Sequence, residues 1–225
     1  LKICLDQKPE IVFSYLVNTN LMGLFVGRLS GAKTVVWGIR VSRFSKYTFG
    51  IKGWLADSLA VFVSRYVDLV ISNNKSGLSE YVELGYRPRA FHVIPNGINT
   101  EQFQPNNDYR SSFRQEINAN NNNIVICKIA RVVSWKGYDI FLRAIKELYR
   151  DCPQLVFICV GTGDANLLEK YKKFQAEHLA SAKVHWLGER KDVHKILSGS
   201  DIFTLATIEG EGFSNSLGEA MKAVM

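Results

Sequence analysis

The segment Glu209-Gly210-Glu211-Gly212-Phe213-Ser214-Asn215-Ser216-Leu217-Gly218-Glu219-Ala220-Met221 contains the most informative pattern in this chain. It follows a short apolar run at 201–206 that predicts a buried strand, and apolar residues at helical spacing continue beyond Phe213. The segment therefore predicts a strand, a Gly-rich turn and a helix. The first turn of a helix leaves backbone N–H groups unpaired, so Gly210 and Gly212 would let a phosphate approach those donors.

Two carboxylates, Glu211 and Glu219, flank this predicted anion site. A carboxylate commonly accepts the paired hydroxyls of a ribose, so both are candidate ligands of a nucleotide. A second interpretation stays open, because Ser216 and Glu219 also have the spacing of a helix capping box. In that case Glu219 would bind a backbone N–H and nothing else.

The composition is that of an ordinary globular protein, with 225 residues, 47% of them hydrophobic and 22% charged. No apolar run has the length of a membrane span, and no signal peptide is visible. The four cysteines form no C-x-x-C pair, which favours a reducing, cytoplasmic location. The four histidines lack metal-ligand spacing, so no metal site is predicted. The chain starts without Met and stops within a helical pattern, which suggests a fragment.

Strands and helices alternate along the chain in two blocks. The first block predicts strands at 10–15, 34–37, 68–72 and 91–94, with helices at 18–30, 52–66 and 76–84. The second predicts strands at 124–130, 155–160, 184–187 and 201–205, with helices at 137–150, 164–179 and 192–198. Helix 52–66 is expected to expose a basic face and to turn five residues inward: Leu55, Leu59, Phe62, Val63 and Tyr66.

This order predicts an α/β protein with two tandem Rossmann-like domains, each a parallel sheet covered by helices. We place an N-terminal domain at 1–100, a polar linker with a short helix at 101–122, and a C-terminal domain at 123–225. Ligands of such folds bind at the carboxyl ends of the strands.

Several residues of the second block follow its predicted strands directly. Arg131 and Lys136 come between a strand and a helix, where they would meet a diphosphate; two unrelated surface cations are the alternative. Gly161 and Gly163 form a Gly-x-Gly turn after the next strand. Asn166 stands where a dinucleotide motif would have its third glycine, which argues against NAD.

Three motifs together resemble the retaining family 4 glycosyltransferases of the GT-B fold. They are the Glu-x7-Glu string that starts at Glu211, the Arg-x4-Lys-Gly string that starts at Arg131, and the Gly-x-Gly turn at Gly161. The resemblance covers nearly the whole chain and is strongest at 93–221. The string Trp37-Gly38-Ile39-Arg40 is similar to the members that build O-antigen or capsular polysaccharide.

The resemblance implies transfer of a hexosyl group from a nucleoside diphosphate sugar to a saccharide or lipid-linked acceptor. Retention of configuration, without a metal or other cofactor, is implied as well. The implied catalytic residues are Glu211, Arg131 and Lys136, and the implied donor-binding residues are Gly212, Phe213, Ser214, Asn215, Glu219, Gly161 and Gly163. The family's first strand and its closing helices are absent here, which leaves the activity of the fragment itself open.

Basic residues are concentrated near the front of the chain, where one acid, Asp57, accompanies seven cations: Arg28, Lys33, Arg40, Arg43, Lys46, Lys52 and Arg65. Such a run attracts phosphates or an anionic membrane surface. We therefore expect Arg40 and Arg43 on the acceptor or membrane side of a cytoplasmic enzyme that is peripheral on the inner face of the plasma membrane. A basic cleft for a soluble phosphorylated sugar is the alternative, and no nucleic-acid module is found.

Two other classes of function stay open. A nucleotide-sugar epimerase of the same shape would bind the diphosphate but would need no acceptor. A non-catalytic fragment that only binds a sugar nucleotide is the other.

Overall fold

The computed structural model of the chain describes residues 1–40 and 46–224 and has two compact units. One comprises Leu1–Asn96 with Glu209–Phe213, and the other comprises Gly97–Ile208 with Ser214–Met225. Each contains a four-stranded sheet whose strands are all parallel. Two parallel sheets flanked by helices confirm the predicted fold class.

In its described part, the first unit alternates helices and strands: α1 (Lys2–Gln7), β1 (Ile11–Tyr15), α2 (Val17–Leu29), β2 (Thr34–Ile39), α3 (Lys46–Val63), β3 (Leu69–Ser72), α4 (Lys75–Glu83) and β4 (Ala90–Val93). The strands lie in the order β1-β2-β3-β4. Helix α1 was not predicted, and α3 begins at Lys46 rather than at residue 52, with a kink at Gly50. Strand β2 supplies much of the core through Val35 and Trp37, which are fully buried.

The predicted inner face of helix 52–66 is wrong for every residue but Val63. Four of the five residues expected to point inward are about half exposed: Leu55 54%, Leu59 51%, Phe62 58% and Tyr66 57%. The core receives Val63, as predicted, together with the small residue Ala60, 1% exposed, which was not predicted. The helix has two apolar seams with the same 3.6-residue period, and the seam of smaller side chains is the one that packs on the sheet.

The second unit, over the described residues, contains α5 (Asn107–Glu116), β5 (Ile124–Ile129), α6 (Tyr138–Leu148), β6 (Leu155–Val160), α7 (Ala165–His178), β7 (Lys183–Gly188), α8 (Val193–Gly199), β8 (Ile202–Phe203) and α9 (Asn215–Val224). Its strands lie in the order β7-β6-β5-β8. Strand β8 is shorter than the predicted 201–205. Its last backbone hydrogen bond to β5 is made by Thr204 N–H. Beyond that point Ile208 N–H donates to Trp135 O at 2.9 Å, so the chain has turned away from the sheet.

Helix α5 lies in the stretch predicted as a linker. It packs against α8 and buries Phe113, 1% exposed, in the core of the second unit. Contacts divide the chain at Asn96 and Gly97. The limits of the domains themselves stay a prediction.

The two units contain the same brace at the amino ends of their sheets. The carboxylate of Asp68 accepts the N–H of Val35 at 2.8 Å, and that of Asp201 accepts the N–H of Val125 at 2.8 Å. Arginines pair with both carboxylates. Arg28 lies 2.8 Å from Asp68. Arg110 and Arg114 lie 2.6 and 3.0 Å from Asp201. Burial opposes ionisation of both carboxyls, but these hydrogen bonds hold the pKa of each below its usual range.

A further arginine, Arg190, connects α5 to the start of α8. Its guanidinium donates to Glu116 at 2.6 Å and to Asp192 at 2.7 Å. Hydrogen bonds from Arg190 lower the pKa of Asp192 to about 2 and also lower the pKa of Glu116. A carboxyl whose folded pKa is depressed stabilises the fold above its unfolded pKa, and that stabilisation is lost as the pH falls through the folded value.

We therefore expect the melting temperature of the chain to decrease as the pH is lowered from about 5 to about 2. Arg190→Gln should remove part of this pH dependence. Lys173→Gln is the matched control, because Lys173 and Glu177 form an exposed pair 3.9 Å apart. Thermal unfolding followed by circular dichroism across this pH range measures the effect. Identical pH profiles for the natural chain and Arg190→Gln would contradict the assignment.

Candidate functional site

Two turns at the carboxyl edge of the second sheet are joined by backbone hydrogen bonds. Val132, after β5, forms a parallel bridge with Gly163, after β6. Val132 N–H donates to Thr162 O at 2.9 Å, and Asp164 N–H donates to Val132 O at 2.8 Å. The two strands are thus extended as a pair beyond their ends, which fixes the backbone that carries the predicted site residues.

Glycines make this close packing feasible. A Cβ atom on Gly161, whose φ is +129°, would lie 2.0 Å from Ala130 O, and one on Gly163 would lie 2.3 Å from Val132 O. Gly137, with φ +63°, has Ala206 O at 1.9 Å from the same position. Gly161 and Gly163 therefore have a structural reason to be glycine, and their contact with a donor stays a prediction.

Both predicted cations lie on the connection between β5 and α6. Arg131 is exposed directly after Ala130, and Lys136 ends the 3-10 turn Ser134–Lys136, immediately before the start of α6. The N-terminus of α6 carries the positive end of the helix dipole. This connection therefore gathers positive charge at the carboxyl edge of the sheet.

Tyr138 is a structural member of this site that the sequence analysis missed. Its side chain is fully buried, and its hydroxyl lies 2.7 Å from Ala130 O and 3.2 Å from Val160 O. Burial raises its pKa well above the usual range, so the hydroxyl keeps its proton. One side chain thus holds the start of α6 against the ends of β5 and β6. The signal in the sequence is only its place directly after Lys136-Gly137.

The start of α9 decides between the two interpretations of Glu219. The helix begins at Asn215, and Leu217 N–H donates to the hydroxyl of Ser214 at 3.4 Å. Ser214 is thus the N-cap, and Leu217 occupies the position that a capping box gives to Glu, so the capping-box interpretation is wrong. The Glu219 carboxyl is half-buried with no hydrogen-bond or ion-pair partner among the described residues, and burial raises its pKa.

The remaining predicted residues group with the first unit. A Cβ atom on Gly212 would lie 2.5 Å from Arg40 O and 2.8 Å from Asn73 Oδ1, so the turn of Glu209–Phe213 sits at the carboxyl ends of β2 and β3. The guanidinium of Arg40 lies 4.9 Å from the ring centroid of Tyr15. Arg43 lies outside the described residues.

The structure thus gathers Arg131, Lys136, Gly161 and Gly163 on one sheet edge, while Ser214, Asn215 and Glu219 open α9 in the same unit. Glu211, Gly212 and Phe213 belong to the first unit by their contacts. Within the described part of the chain, no three His, Cys, Asp or Glu side chains converge as metal ligands. None of the helices at 1–40 and 46–224 is both long and apolar enough to cross a bilayer.

Solved structures match the fold. The Anabaena protein HepE, crystallised with UDP and glucose, superposes with a TM-score of 0.83 at 21% identity, covering 95% of this chain and 57% of that one. WaaG, a glycosyltransferase involved in lipopolysaccharide biosynthesis, superposes with a TM-score of 0.68 at 15% identity, covering 92% of this chain and 63% of that one.

Curated proteins match in sequence. The UDP-Gal:alpha-D-GlcNAc-diphosphoundecaprenol alpha-1,3-galactosyltransferase of Escherichia coli is 26% identical over 92% of this chain and 54% of its own length. The N,N'-diacetylbacillosaminyl-diphospho-undecaprenol alpha-1,3-N-acetylgalactosaminyltransferase of Campylobacter jejuni is 31% identical over 74% of this chain and 43% of its own length. The chain therefore spans about half the length of these relatives.

The family described as glycosyl transferases group 1 matches residues 110–225, just over half of the chain. The matched region contains Arg131, Lys136 and the segment from Glu211 to Glu219. Together with the two parallel sheets and the likeness to GT-B structures, this confirms the predicted resemblance. The chain belongs to the glycosyl transferases group 1 family.

Proposed function

We propose that this protein transfers a hexosyl group from a nucleoside diphosphate sugar to a saccharide or lipid-linked acceptor during synthesis of a cell-surface polysaccharide or lipopolysaccharide. The observation that carries the proposal is the connection between β5 and α6, which contains both Arg131 and Lys136 and leads into the N-terminus of α6. A diphosphate is a ligand that such a concentration of positive charge fits.

The donor is proposed to be a UDP-sugar. The E. coli relative is named for UDP-Gal, and HepE was crystallised with UDP-glucose in a second structure. A relative from Mycolicibacterium smegmatis, 34% identical over 33% of this chain, is named as GDP-mannose-dependent, so GDP is the competing nucleotide.

The proposed chemistry retains the anomeric configuration and uses no metal ion. Arg131 and Lys136 stabilise the negative charge that develops on the leaving diphosphate, which fixed cations do without reorganisation during the reaction. Glu211 faces the donor sugar, and Glu219 accepts hydrogen bonds from the ribose hydroxyls. Undiminished turnover in EDTA is expected, whereas turnover lost in EDTA and restored by Mg²⁺ would contradict this assignment.

The acceptor is proposed to be lipid-linked, with the enzyme peripheral on the inner face of the plasma membrane. The names of the E. coli and C. jejuni relatives both include a diphosphoundecaprenol group, which supports this choice. Arg40 and Arg43 are proposed to lie on the acceptor side.

Replacement of Glu219 by Gln tests its assignment to the ribose. The Glu219 carboxylate, which has no partner among the described residues, should accept two hydroxyl hydrogen bonds. Charged hydrogen bonds contribute about 1.5 to 3 kcal/mol each, so Glu219→Gln should weaken UDP binding at least about tenfold. Its thermal midpoint should stay close to that of the natural chain, because Ser214 caps the helix.

Calorimetric titration with UDP and with GDP measures both the affinity and the nucleotide preference. Glu169→Gln, an exposed change on α7, is the matched control. A lower thermal midpoint with unchanged UDP affinity would show that Glu219 stabilises the helix and does not bind the nucleotide.

A further inference from the structure

Helix α3 and the turn Ser64–Tyr66 that follows it carry a row of large apolar side chains on their outer surface. We name this row the outer stripe, and it consists of Leu55, Leu59, Phe62 and Tyr66, each 51% to 58% exposed. Their spacing of four, three and four residues places them on one face of the helix. Trp54, beside the stripe, is 50% exposed as well.

The opposite face of the same helix is built from smaller residues. Ala60 is 1% exposed and Ala56 is half-buried, while Val63 packs on the core of the first unit. A helix that only had to cover a sheet would turn its largest apolar residues inward, because the gain from burial grows with apolar area. This helix does the reverse, so the described residues of its unit leave the outer stripe uncovered, as at surfaces that bind a partner or a membrane.

Positive charge lies at the end of the outer stripe. Four exposed arginines come together there: Arg28, Arg65, Arg87 and Arg89. Arg28 donates to Tyr66 O at 2.6 Å, and the guanidinium of Arg65 lies 4.5 Å from the ring centroid of Phe62. The backbone N–H of Arg87 donates to Ser64 Oγ at 2.9 Å, and that of Arg89 donates to Val67 O at 3.0 Å. Asp68, the acid paired with Arg28 and Arg89, offsets one of these charges.

We propose that the outer stripe and this arginine cluster form the surface on which the protein docks to an anionic lipid bilayer. Surfaces that lie in a bilayer interface combine Leu, Phe and Trp on the buried face with flanking Arg or Lys, a combination that α3 and the neighbouring arginine cluster provide together. Tyr and Trp favour the headgroup region, and arginines are attracted by anionic lipids. The inference rests on the proposed function, because a lipid-linked acceptor requires the enzyme to work at the membrane.

Flotation with vesicles tests this surface. The probe is a vesicle of phosphatidylcholine mixed with phosphatidylglycerol, compared with phosphatidylcholine alone, at low and high salt. The apolar variant combines Leu59→Ser with Phe62→Ser. Its matched control combines Ile140→Ser with Leu148→Ser on α6, which are 46% and 45% exposed in the second unit.

The natural chain should float with anionic vesicles in a salt-dependent manner, and the apolar variant should bind at least about tenfold more weakly. Arg65→Glu, which tests the charge if the apolar variant fails to fold, should lower binding at least about fivefold, whereas Arg143→Glu on α6 should change it by less than about twofold. Binding that all variants share equally, or no binding by the natural chain, would overturn the proposal. A dimer that the apolar variant dissociates, without vesicle binding, would identify the stripe as a protein interface and would overturn it too.

Transfer to a short-chain, water-soluble acceptor separates this inference from the proposed function. The apolar variant of the full-length enzyme should keep that transfer and lose transfer to vesicle-bound acceptor. Absence of transfer to the soluble acceptor in the natural enzyme would contradict the proposed function and leave the vesicle-binding result to decide the docking surface.

Discussion

Arg131→Ala should lower kcat of the full-length transferase by roughly 100- to 1,000-fold, or about 2.7 to 4 kcal/mol of transition-state stabilisation. The reason is that Arg131 lies on a backbone held by the Val132 to Gly163 bridge and by the Tyr138 hydroxyl, so the segment that carries this cation is fixed before the reaction begins. A preorganised cation acts on charge that develops as the diphosphate leaves. Lys136→Ala should have an effect of similar size.

Steady-state kinetics with a fixed, saturating acceptor measures this effect, and Arg143→Ala on α6 is the matched control, expected to change kcat by less than about twofold. Separate values of kcat and KM distinguish two roles. A raised KM with unchanged kcat would mean that these cations bind donor and transition state equally well, which would contradict the proposed catalytic role.

Arg114→Ala should lower the free energy of unfolding by about 3 to 5 kcal/mol, because it removes the buried cation of the network and leaves only the more exposed Arg110 to pair with Asp201. The Arg114 side chain is 5% exposed and donates to Asp201 at 3.0 Å and to Gly199 O at 3.2 Å. It also donates to Asn120 O and Asn123 O, both at 2.6 Å, so one guanidinium joins α5 to the loops at the amino end of the sheet.

The corresponding brace of the first unit supplies the control. Arg28 pairs with Asp68 but its side chain is 40% exposed, so Arg28→Ala should cost no more than about 1 kcal/mol. Urea unfolding of the two variants measures both values. Equal destabilisation by both changes would show that burial of Arg114 does not determine the effect.

Much of the fold could be predicted from the sequence because parallel strands covered on both faces form continuous apolar runs. Strand β6 is such a run, and its predicted limits are those observed. The inner face of α3 could not be predicted, since both seams have the helical period and only packing distinguishes Ala60 from Leu59. Helix α5 lies in a polar stretch and is held by tertiary contacts of Phe113 and Arg114, which no local pattern indicates.

The candidate site shows the same division. The positions of Arg131 and Lys136 follow from the order of strand, turn and helix, so their neighbourhood was predictable. The role of Tyr138 was not, because its hydroxyl bonds to carbonyls at the ends of two strands, one of them far along the chain. Glu219 could be separated from a capping role only when the helix start at Asn215 was known.

The most direct test of the proposed reaction is product analysis by NMR after incubation of the full-length protein with a UDP-hexose and a diphosphate-linked lipid acceptor. The proposed function predicts release of UDP together with an acceptor that carries the hexose in the same anomeric configuration as the donor, and no turnover when the acceptor is left out. A free nucleotide sugar epimerised without any acceptor, or a product of inverted configuration, would contradict it.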